Sequence, residues 1–322
     1  MKALTSLILL PVAASAAWEA VKAPINNDIF DLDFTKADAG WAAAWGAILR
    51  YDAGNWTIHK RFPGDHIVAA VSAYDEQCAW VTVHLFNRED FSMLYYYDGS
   101  SWELKQEIYD HVWSIDLTGR DEGWACSSKK VYRWDGSSWR AEGPSHPVGH
   151  FYDVKFFDRN YGFLVGEFYN HHRYVSGTWH RVSVPDGEGF LSVSIVAADN
   201  VWAGGGLLGW MIAKIGHYRG SSWTFYDFPE LIQVRAISMA DNAFGWAAAI
   251  DENFCGNILY RWDGSRWYRV ACPVSNDYSI NDVVTISRDD AWACCIAGYF
   301  LRYRSGPGVT PTSLGRIKAI FK

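Results

Sequence analysis

The sequence predicts an all-β fold, a seven-bladed β-propeller with four strands in each blade. The first observation behind this prediction is a tryptophan that recurs roughly every 42 residues, which is the period of propeller blades. It usually follows a small or acidic residue and precedes Ala, and Phe163 takes its place in one repeat. The seven positions are Trp41, Trp80, Trp124, Phe163, Trp202, Trp246 and Trp292.

The second observation is a strand that is missing at one end of the chain and present at the other. A second tryptophan follows a turn in each of the first six repeats, at Trp56, Trp102, Trp139, Trp179, Trp223 and Trp267. The last repeat stops before this position, whereas residues 18–24 match residues 267–273. A closed ring needs this arrangement and an open solenoid does not. We therefore expect the N-terminal strand to complete the last blade.

Each repeat contains four segments that are typical of strands. An apolar first strand, as in residues 153–156, precedes the first tryptophan, and an Ala- and Gly-rich second strand starts at it. The third segment alternates apolar and polar residues, as in residues 258–262, which indicates a half-buried strand. An Asp-Gly turn such as residues 98–102 then leads into the fourth strand, because Asp-Gly adopts the positive φ angles of a tight hairpin.

These motifs resemble the repeats of secreted bacterial propellers related to the Asp-box (bacterial neuraminidase) and photosystem-II-assembly-factor types. The resemblance is carried by Asp153-Val154-Lys155-Phe156 with Tyr161-Gly162-Phe163, by Asp121-Glu122-Gly123-Trp124-Ala125, and by the Asp-Gly-Ser-Ser-Trp turns. It covers residues 18–306 and implies the propeller architecture rather than a particular function. The turns have Asp-Gly, or Asp-x-Gly at Asp52, so they are not complete Asp boxes.

The two ends of the chain predict export. Lys2, an apolar run and Ala14-Ser15-Ala16 have the order of a secretory signal peptide over residues 1–16, followed by the propeller over residues 17–308. No other stretch is long and apolar enough for a transmembrane helix. The tail, residues 309–322, is similar to short C-terminal sorting tails of exported proteins, although a segment docked on the propeller is the alternative. We expect an extracellular or cell-surface protein, with the periplasm as a further destination.

Charge and cysteines narrow the class of protein further. The net charge of −7 argues against a nucleic-acid partner, which would need a basic surface. Six cysteines in an exported chain permit disulfides. Cys255 and Cys272 are expected on one face of one blade and are the candidate pair, whereas Cys126 and Cys294 are expected to be buried thiols.

Recognisable catalytic motifs are absent from the sequence, so no catalytic residue and no cofactor is assigned. Asp31, Asp153 and Asp282 occupy the same place on three first strands and could form an acidic ring that binds Ca²⁺. Alternatively, these carboxylates bind neighbouring backbone. The adjacent His171 and His172 point to opposite faces of a strand, so an exposed loop pair is favoured over a metal site.

The ligand site is expected in the loops that join strand four to strand one and strand two to strand three, since these share one face and vary between repeats. Their candidate ligand-binding residues are Trp113, His150, Tyr152, Phe168, His171, Trp210, Phe254 and Tyr278. Aromatic and polar side chains of this kind suit a glycan or a protein partner. Trp113 and Trp210 could instead plug the ring.

Three functions remain open at this stage. The leading hypothesis is a non-catalytic propeller that binds a glycan or a protein through these loops. The second is a carbohydrate-active lyase or hydrolase that uses Asp65, Asp110, His111, His150 and Asp277. The third is a self-assembling structural protein of the cell surface.

Overall fold

The chain folds as a ring of antiparallel sheets. The computed structural model describes residues 17–146, 149–185, 188–206 and 212–305. Within them, seven sheets of four strands each are formed, and six of these sheets consist of strands that are consecutive along the chain. The seventh joins three C-terminal strands to the strand nearest the N-terminus. The predicted seven-bladed β-propeller is therefore confirmed, including the closure of its last blade.

The strands are numbered along the chain. Their bounds are β1 (Ala17–Lys22), β2 (Ile29–Lys36), β3 (Ala39–Ala44), β4 (Ala47–Asp52), β5 (Asn55–Arg61), β6 (His66–Asp75), β7 (Cys78–Leu85), β8 (Arg88–Tyr97), β9 (Trp102–Ile108), β10 (Val112–Leu117), β11 (Gly123–Ser127), β12 (Lys130–Trp134), β13 (Trp139–Ser145), β14 (Phe151–Asp158), β15 (Tyr161–Gly166), β16 (His172–Val175), β17 (Thr178–Arg181), β18 (Phe190–Ala197), β19 (Asn200–Gly205), β20 (Ala213–Arg219), β21 (Ser222–Phe228), β22 (Leu231–Asp241), β23 (Phe244–Asp251), β24 (Ile258–Trp262), β25 (Trp267–Val270), β26 (Ile280–Thr285), β27 (Asp290–Cys295) and β28 (Tyr299–Arg304).

Blades one to six are formed by β2–β5, β6–β9, β10–β13, β14–β17, β18–β21 and β22–β25, and blade seven by β26–β28 with β1. The first strand of every blade contacts the first strands of both neighbouring blades, so these strands surround the central channel. A short 3₁₀ turn, Ile296–Gly298, connects β27 to β28. Among the described residues, the helical segments are all too short to be candidates for crossing a membrane.

Neighbouring blades are joined by aromatic pairs between the second strand of one blade and the fourth strand of the next. Trp41 meets Trp102 edge-on with 5.2 Å between ring centroids. Trp18 on β1 meets Trp246 in the same way at 4.9 Å, so the N-terminal strand makes the contact that the repeat predicts. The remaining pairs are Trp80–Trp139, Trp124–Trp179, Phe163–Trp223, Trp202–Trp267 and Trp292–Trp56. The repeated aromatic residues therefore form the scaffold.

Side-chain oxygens on the first strands accept hydrogen bonds from backbone N–H groups of the following blade. The carboxylate bonds are Val71 to Asp31 (2.7 Å), Ala73 to Asp33 (2.6 Å), Phe156 to Asp116 (2.8 Å), Val193 to Asp153 (2.9 Å) and Leu32 to Asp282 (3.2 Å). Serine hydroxyls take this role elsewhere, at Ser72, Ser192, Ser194 and Ser238. The bond from Leu32 to Asp282 crosses the boundary where the ring closes. These polar contacts tie the blades together around the channel.

One lysine balances the carboxylates of the channel. Burial lowers the pKa of Lys155, but the carboxylates of Asp153, Asp116, Asp31 and Asp33 outweigh burial, and its pKa is raised. Lys155 therefore stays protonated at the centre of this acidic group, where it provides the positive charge that buried carboxylates need.

Candidate functional site: the channel mouth

Each first strand carries a β-bulge close to its start, where the register with the second strand shifts by one residue. A bulge re-aims the side chain of the extra residue. All seven bulged residues line the central cavity, which has a volume of about 740 Å³. We call this set the mouth ring; its members are Phe30, Ala69, Trp113, Tyr152, Leu191, Arg235 and Asn281.

The mouth ring differs from the layer directly below it in one respect. Each residue that follows a bulge is Asp, Ser or Ala, and most of them bond to the next blade as described above. The mouth ring instead combines aromatic, aliphatic, cationic and amide side chains at one repeated backbone position. The scaffold therefore fixes where these side chains lie, while their chemistry is not fixed by the repeat.

The loops around the mouth ring lie on one face of the ring, as predicted. In six blades, the segment that follows strand two donates a backbone hydrogen bond to the loop that enters strand one. These bonds are Trp45 to Asp28, Phe86 to Asp65, Ser128 to His111, Glu167 to His150, Gly206 to Gly189 and Ile296 to Ser279. We call this surface the long-loop face.

An aromatic stack forms one wall of the mouth. The indole of Trp113 stacks on the imidazole of His111, which in turn packs edge-on against His84 at 3.7 Å. Trp113 Nε1 donates to Ser128 Oγ at 3.0 Å, yet 41% of the residue is exposed. Burial lowers the pKa of His84 to about 3, so this imidazole, which lies at the bottom of the stack, is uncharged at neutral pH. The wall is therefore rigid and presents one indole face to solvent.

Tyr152 continues this wall on blade four. Its hydroxyl donates to Glu167 Oε1 at 2.7 Å, which fixes the ring direction. The ring of His150 lies 6.0 Å from that of Tyr152. Three of the predicted site residues, Trp113, His150 and Tyr152, therefore lie on the adjacent blades three and four.

The opposite side of the mouth is polar. Arg235 Nη1 donates to Asn281 Oδ1 at 2.9 Å, and Asn281 Nδ2 donates to the Ile29 carbonyl at 2.7 Å. Burial lowers the pKa of Arg235. Arg235 and Asn281 were not predicted from the sequence, because an arginine inside an apolar strand gives no motif. Aligning the first strands on Asp31, Asp153 and Asp282 would have placed both residues in the column of Trp113.

The other predicted aromatic residues lie farther around the long-loop face. Phe168 (48% exposed) belongs to blade four, and Phe254 (70% exposed) to blade six. Tyr278 precedes β26 and packs against Tyr299, with 5.0 Å between ring centroids. These three residues remain candidates for the periphery of a ligand.

The interpretation of His171 and His172 as an exposed loop pair is wrong, because His172 is half-buried and begins β16. The side chain of His171 is fully buried, and its Nε2 lies 2.8 Å from the Glu188 carbonyl. Burial lowers its pKa to about 4. The chain turns inward directly before β16, which the local sequence does not show. His171 therefore supports the loop and is not accessible to a ligand.

The carboxylates of the enzyme hypothesis have structural partners. Asp110 accepts hydrogen bonds from Ser127 Oγ (2.6 Å) and Tyr132 (3.2 Å). Asp65 lies 2.8 Å from His66 Nδ1. Asp277 is exposed and accepts a long bond from Ser275. They belong to the entry loops of blades three, two and seven, so the structure does not place them together as an acid–base pair.

The predicted acidic ring is also spread around the channel. Asp31 and Asp282 are neighbours across the closure of the ring, whereas Asp153 lies on blade four. Throughout the described part of the chain, no three His, Cys, Asp or Glu side chains form a group that could hold a metal ion. The second sequence interpretation, that these carboxylates bind backbone, is the one that the hydrogen bonds support.

Several predictions concern thiols or residues outside the described ranges. Cys126 and Cys294 are buried, as expected, while Cys255 and Cys272 are half-buried thiols. Cys272 packs against the same apolar cluster as Cys295, and its pairing with Cys255 stays a prediction. Trp210, the signal peptide and the tail lie outside the described residues.

Comparison with known proteins identifies the fold. No protein-family model and no curated protein matches the sequence. The structure of YCF48 from Cyanidioschyzon merolae is similar, with a TM-score of 0.69 and 16% identity over 90% of this chain and 99% of that one. YCF48 bound to D1 peptide gives 0.68 and 15% over 89% and 97%. The extracellular domain of BT4673 from B. thetaiotaomicron gives 0.67 and 12% over 88% of this chain and 39% of that chain.

At these identities the likeness concerns architecture. The WD40 propeller domain of Doa1 is equally similar, with a TM-score of 0.68 and 12% identity over 91% of this chain and 97% of that one. The chain therefore shares the β-propeller fold with these proteins.

Proposed function

We propose that the protein is a non-catalytic binding propeller that recognises a segment of a partner protein at the mouth ring. The observation that carries this proposal is the set of seven bulges, which directs chemically different side chains to one end of the channel. The residues that join the blades repeat from blade to blade, whereas the residue at the mouth-ring position is of a different type in every blade. A cavity of about 740 Å³ is within the range of ligand sites in proteins.

The aromatic side chains of the long-loop face favour a protein partner over a glycan. Phe86, Tyr109, Phe168 and Phe254 are all exposed on this face. Phenylalanine offers no hydrogen bond to sugar hydroxyls, whereas aromatic residues are enriched where proteins bind each other. A YCF48 propeller of similar fold was solved with a bound peptide, which supports the same class of ligand here. Trp113, with its exposed indole face, is the residue that a sugar would use instead.

We also propose that the protein acts outside the cytoplasm. It rests on the sequence of residues 1–16, and the basic tail suggests association with the cell surface. Cell fractionation together with the N-terminal sequence of the purified protein tests this part. A protein that keeps residues 1–16 and stays in the cytoplasm would contradict it.

The test of the binding function is selection from a random peptide display library on the purified protein, next to a glycan array. Trp113→Ala is the test variant. Leu104→Ala is the matched control, because Leu104 is similarly exposed (43%) but lies on β9, the fourth strand of its blade, and does not line the cavity. Peptides that bind the native protein and the control but not Trp113→Ala support the proposal. Selective binding to glycans alone, or ordered self-association without any ligand, contradicts it.

A further inference from the structure

We propose that Arg235, held by Asn281, binds a carboxylate group of the ligand that occupies the mouth ring. This inference rests on the proposed binding function and specifies the chemistry of the ligand. The carboxylate is either an Asp or Glu side chain of the partner or the end of its chain.

Arg235 is positioned before any ligand arrives. Asn281 Nδ2 donates to the Ile29 carbonyl, and this bond orients Oδ1 toward Arg235 Nη1. The bulge at Arg235 turns the side chain into the channel. One guanidinium N–H is therefore used to hold the group, and the remaining donors of its planar fork are available for a carboxylate.

The charge of Arg235 lacks a counter-charge among the described residues. None of their acidic side chains makes a salt bridge to it, and its hydrogen-bond partner, Asn281, is neutral. Two other half-buried arginines pair with a carboxylate, Arg302 with Asp290 at 2.9 Å and Arg133 with Glu122 at 3.1 Å. Two more, Arg50 and Arg261, instead lie over the rings of Trp41 and Phe244, and Arg235 has neither kind of contact among the described residues. A partly desolvated cation without an anion is costly, and a ligand carboxylate would remove this cost.

The residues directly below the mouth ring limit how far an anionic group can enter the channel. Asp31 and Asp282 adjoin each other one residue beyond the mouth ring. The negative charge of this pair repels an anionic group of the ligand that approaches along the channel. A carboxylate is thus attracted at Arg235 and stopped there. Leu191 on the neighbouring blade and Trp113 across the channel supply apolar surface for the group that bears it.

The test uses two pairs of small probes on the full-length protein. N-acetyl-phenylalanine is compared with its amide, and the α-amide of N-acetyl-glutamate with that of N-acetyl-glutamine, by ligand-observed NMR titration. We expect the acid of at least one pair to bind on the order of ten-fold more tightly than its neutral counterpart, as for other hydrogen bonds to charged groups. The pair with the larger ratio identifies the source of the carboxylate.

We expect Arg235→Gln to abolish the preference for the acid probe. Arg235→Lys should keep only part of this preference, because lysine lacks the planar, two-pronged guanidinium group. The matched control is Arg269→Gln, an exposed arginine on β25 of the same blade, which should keep the preference. Equal binding of acid and neutral probe, a preference that survives Arg235→Gln, or no binding of either pair would overturn the inference. Peptides that require Trp113 but bind Arg235→Gln unchanged would overturn it while leaving the binding function intact.

Discussion

The indole of Trp113 lies against the imidazole of His111 with 4.0 Å between ring centroids and 19° between their planes. This pair is not part of the repeated contacts that join the blades. It uses one face of the indole for support and leaves the other toward the channel mouth. A rigid aromatic surface of this kind binds at little cost in conformational entropy.

Closure of the ring depends on the edge-on contact between Trp18 and Trp246. Trp18→Ala removes a buried indole at the boundary of blades six and seven, and we expect the free energy of unfolding to fall by about 3–5 kcal/mol. Denaturant unfolding measures this loss. Trp18→Phe should restore part of the stability, and the adjacent, exposed Glu19→Ala should change it little. An unaltered midpoint in Trp18→Ala would contradict the closure described here.

The carboxyl pair at the boundary of blades seven and one makes stability depend on pH. Burial raises the pKa of Asp31 to about 6 and also raises that of Asp282, which adjoins it. The folded state therefore holds more protons than the unfolded state above pH 4, and stability falls as the pH rises through about 6. Asp282→Asn keeps an acceptor for the Leu32 N–H and gives Asp31 a donor.

We expect Asp282→Asn to raise the free energy of unfolding at pH 7.5 by about 1–2 kcal/mol and to flatten its change between pH 4.5 and 7.5. Denaturant unfolding at several pH values measures both effects. The exposed Asp277→Asn is the control and should follow the native profile. A variant that is less stable than the native protein at pH 7.5 would contradict the raised pKa values of Asp31 and Asp282.

Lys155 is predicted to be essential to the stability of the channel. Lys155→Met removes the cation that interacts with four carboxylates, and we expect a loss of about 3 kcal/mol at pH 7.5. The loss should shrink at pH 4.5, because Asp31, whose pKa is raised to about 6, is protonated there and no longer repels its neighbours. Thermal unfolding at the two pH values checks this, with the exposed Lys105→Met as control. An equal loss at both pH values would point to packing instead of charge.

The fold could be predicted from the sequence because the contacts that stabilise it recur in every repeat. Every blade needs an aromatic pair at each boundary, so Trp41 and its equivalents recur, and Trp18 shows where the chain closes. The site could be predicted only in part, since it depends on features that do not repeat. Trp113 and Tyr152 were identified by being aromatic, whereas Arg235 and Asn281 become visible only once the bulge column is known. His171 was misplaced because its burial depends on how one loop turns.

Binding of the ligand at the mouth ring can be measured by calorimetric titration of a library-selected peptide into the native protein, Trp113→Ala and Leu104→Ala. Because Trp113 also stacks on His111 and donates to Ser128, the unfolding midpoint of Trp113→Ala is measured first, and the titration is made well below that midpoint. We predict that Trp113→Ala weakens binding by about 2 kcal/mol, or about 30-fold, as for an interface hot spot, and that Leu104→Ala binds like the native protein. Equal affinities for Trp113→Ala and the native protein would contradict the account.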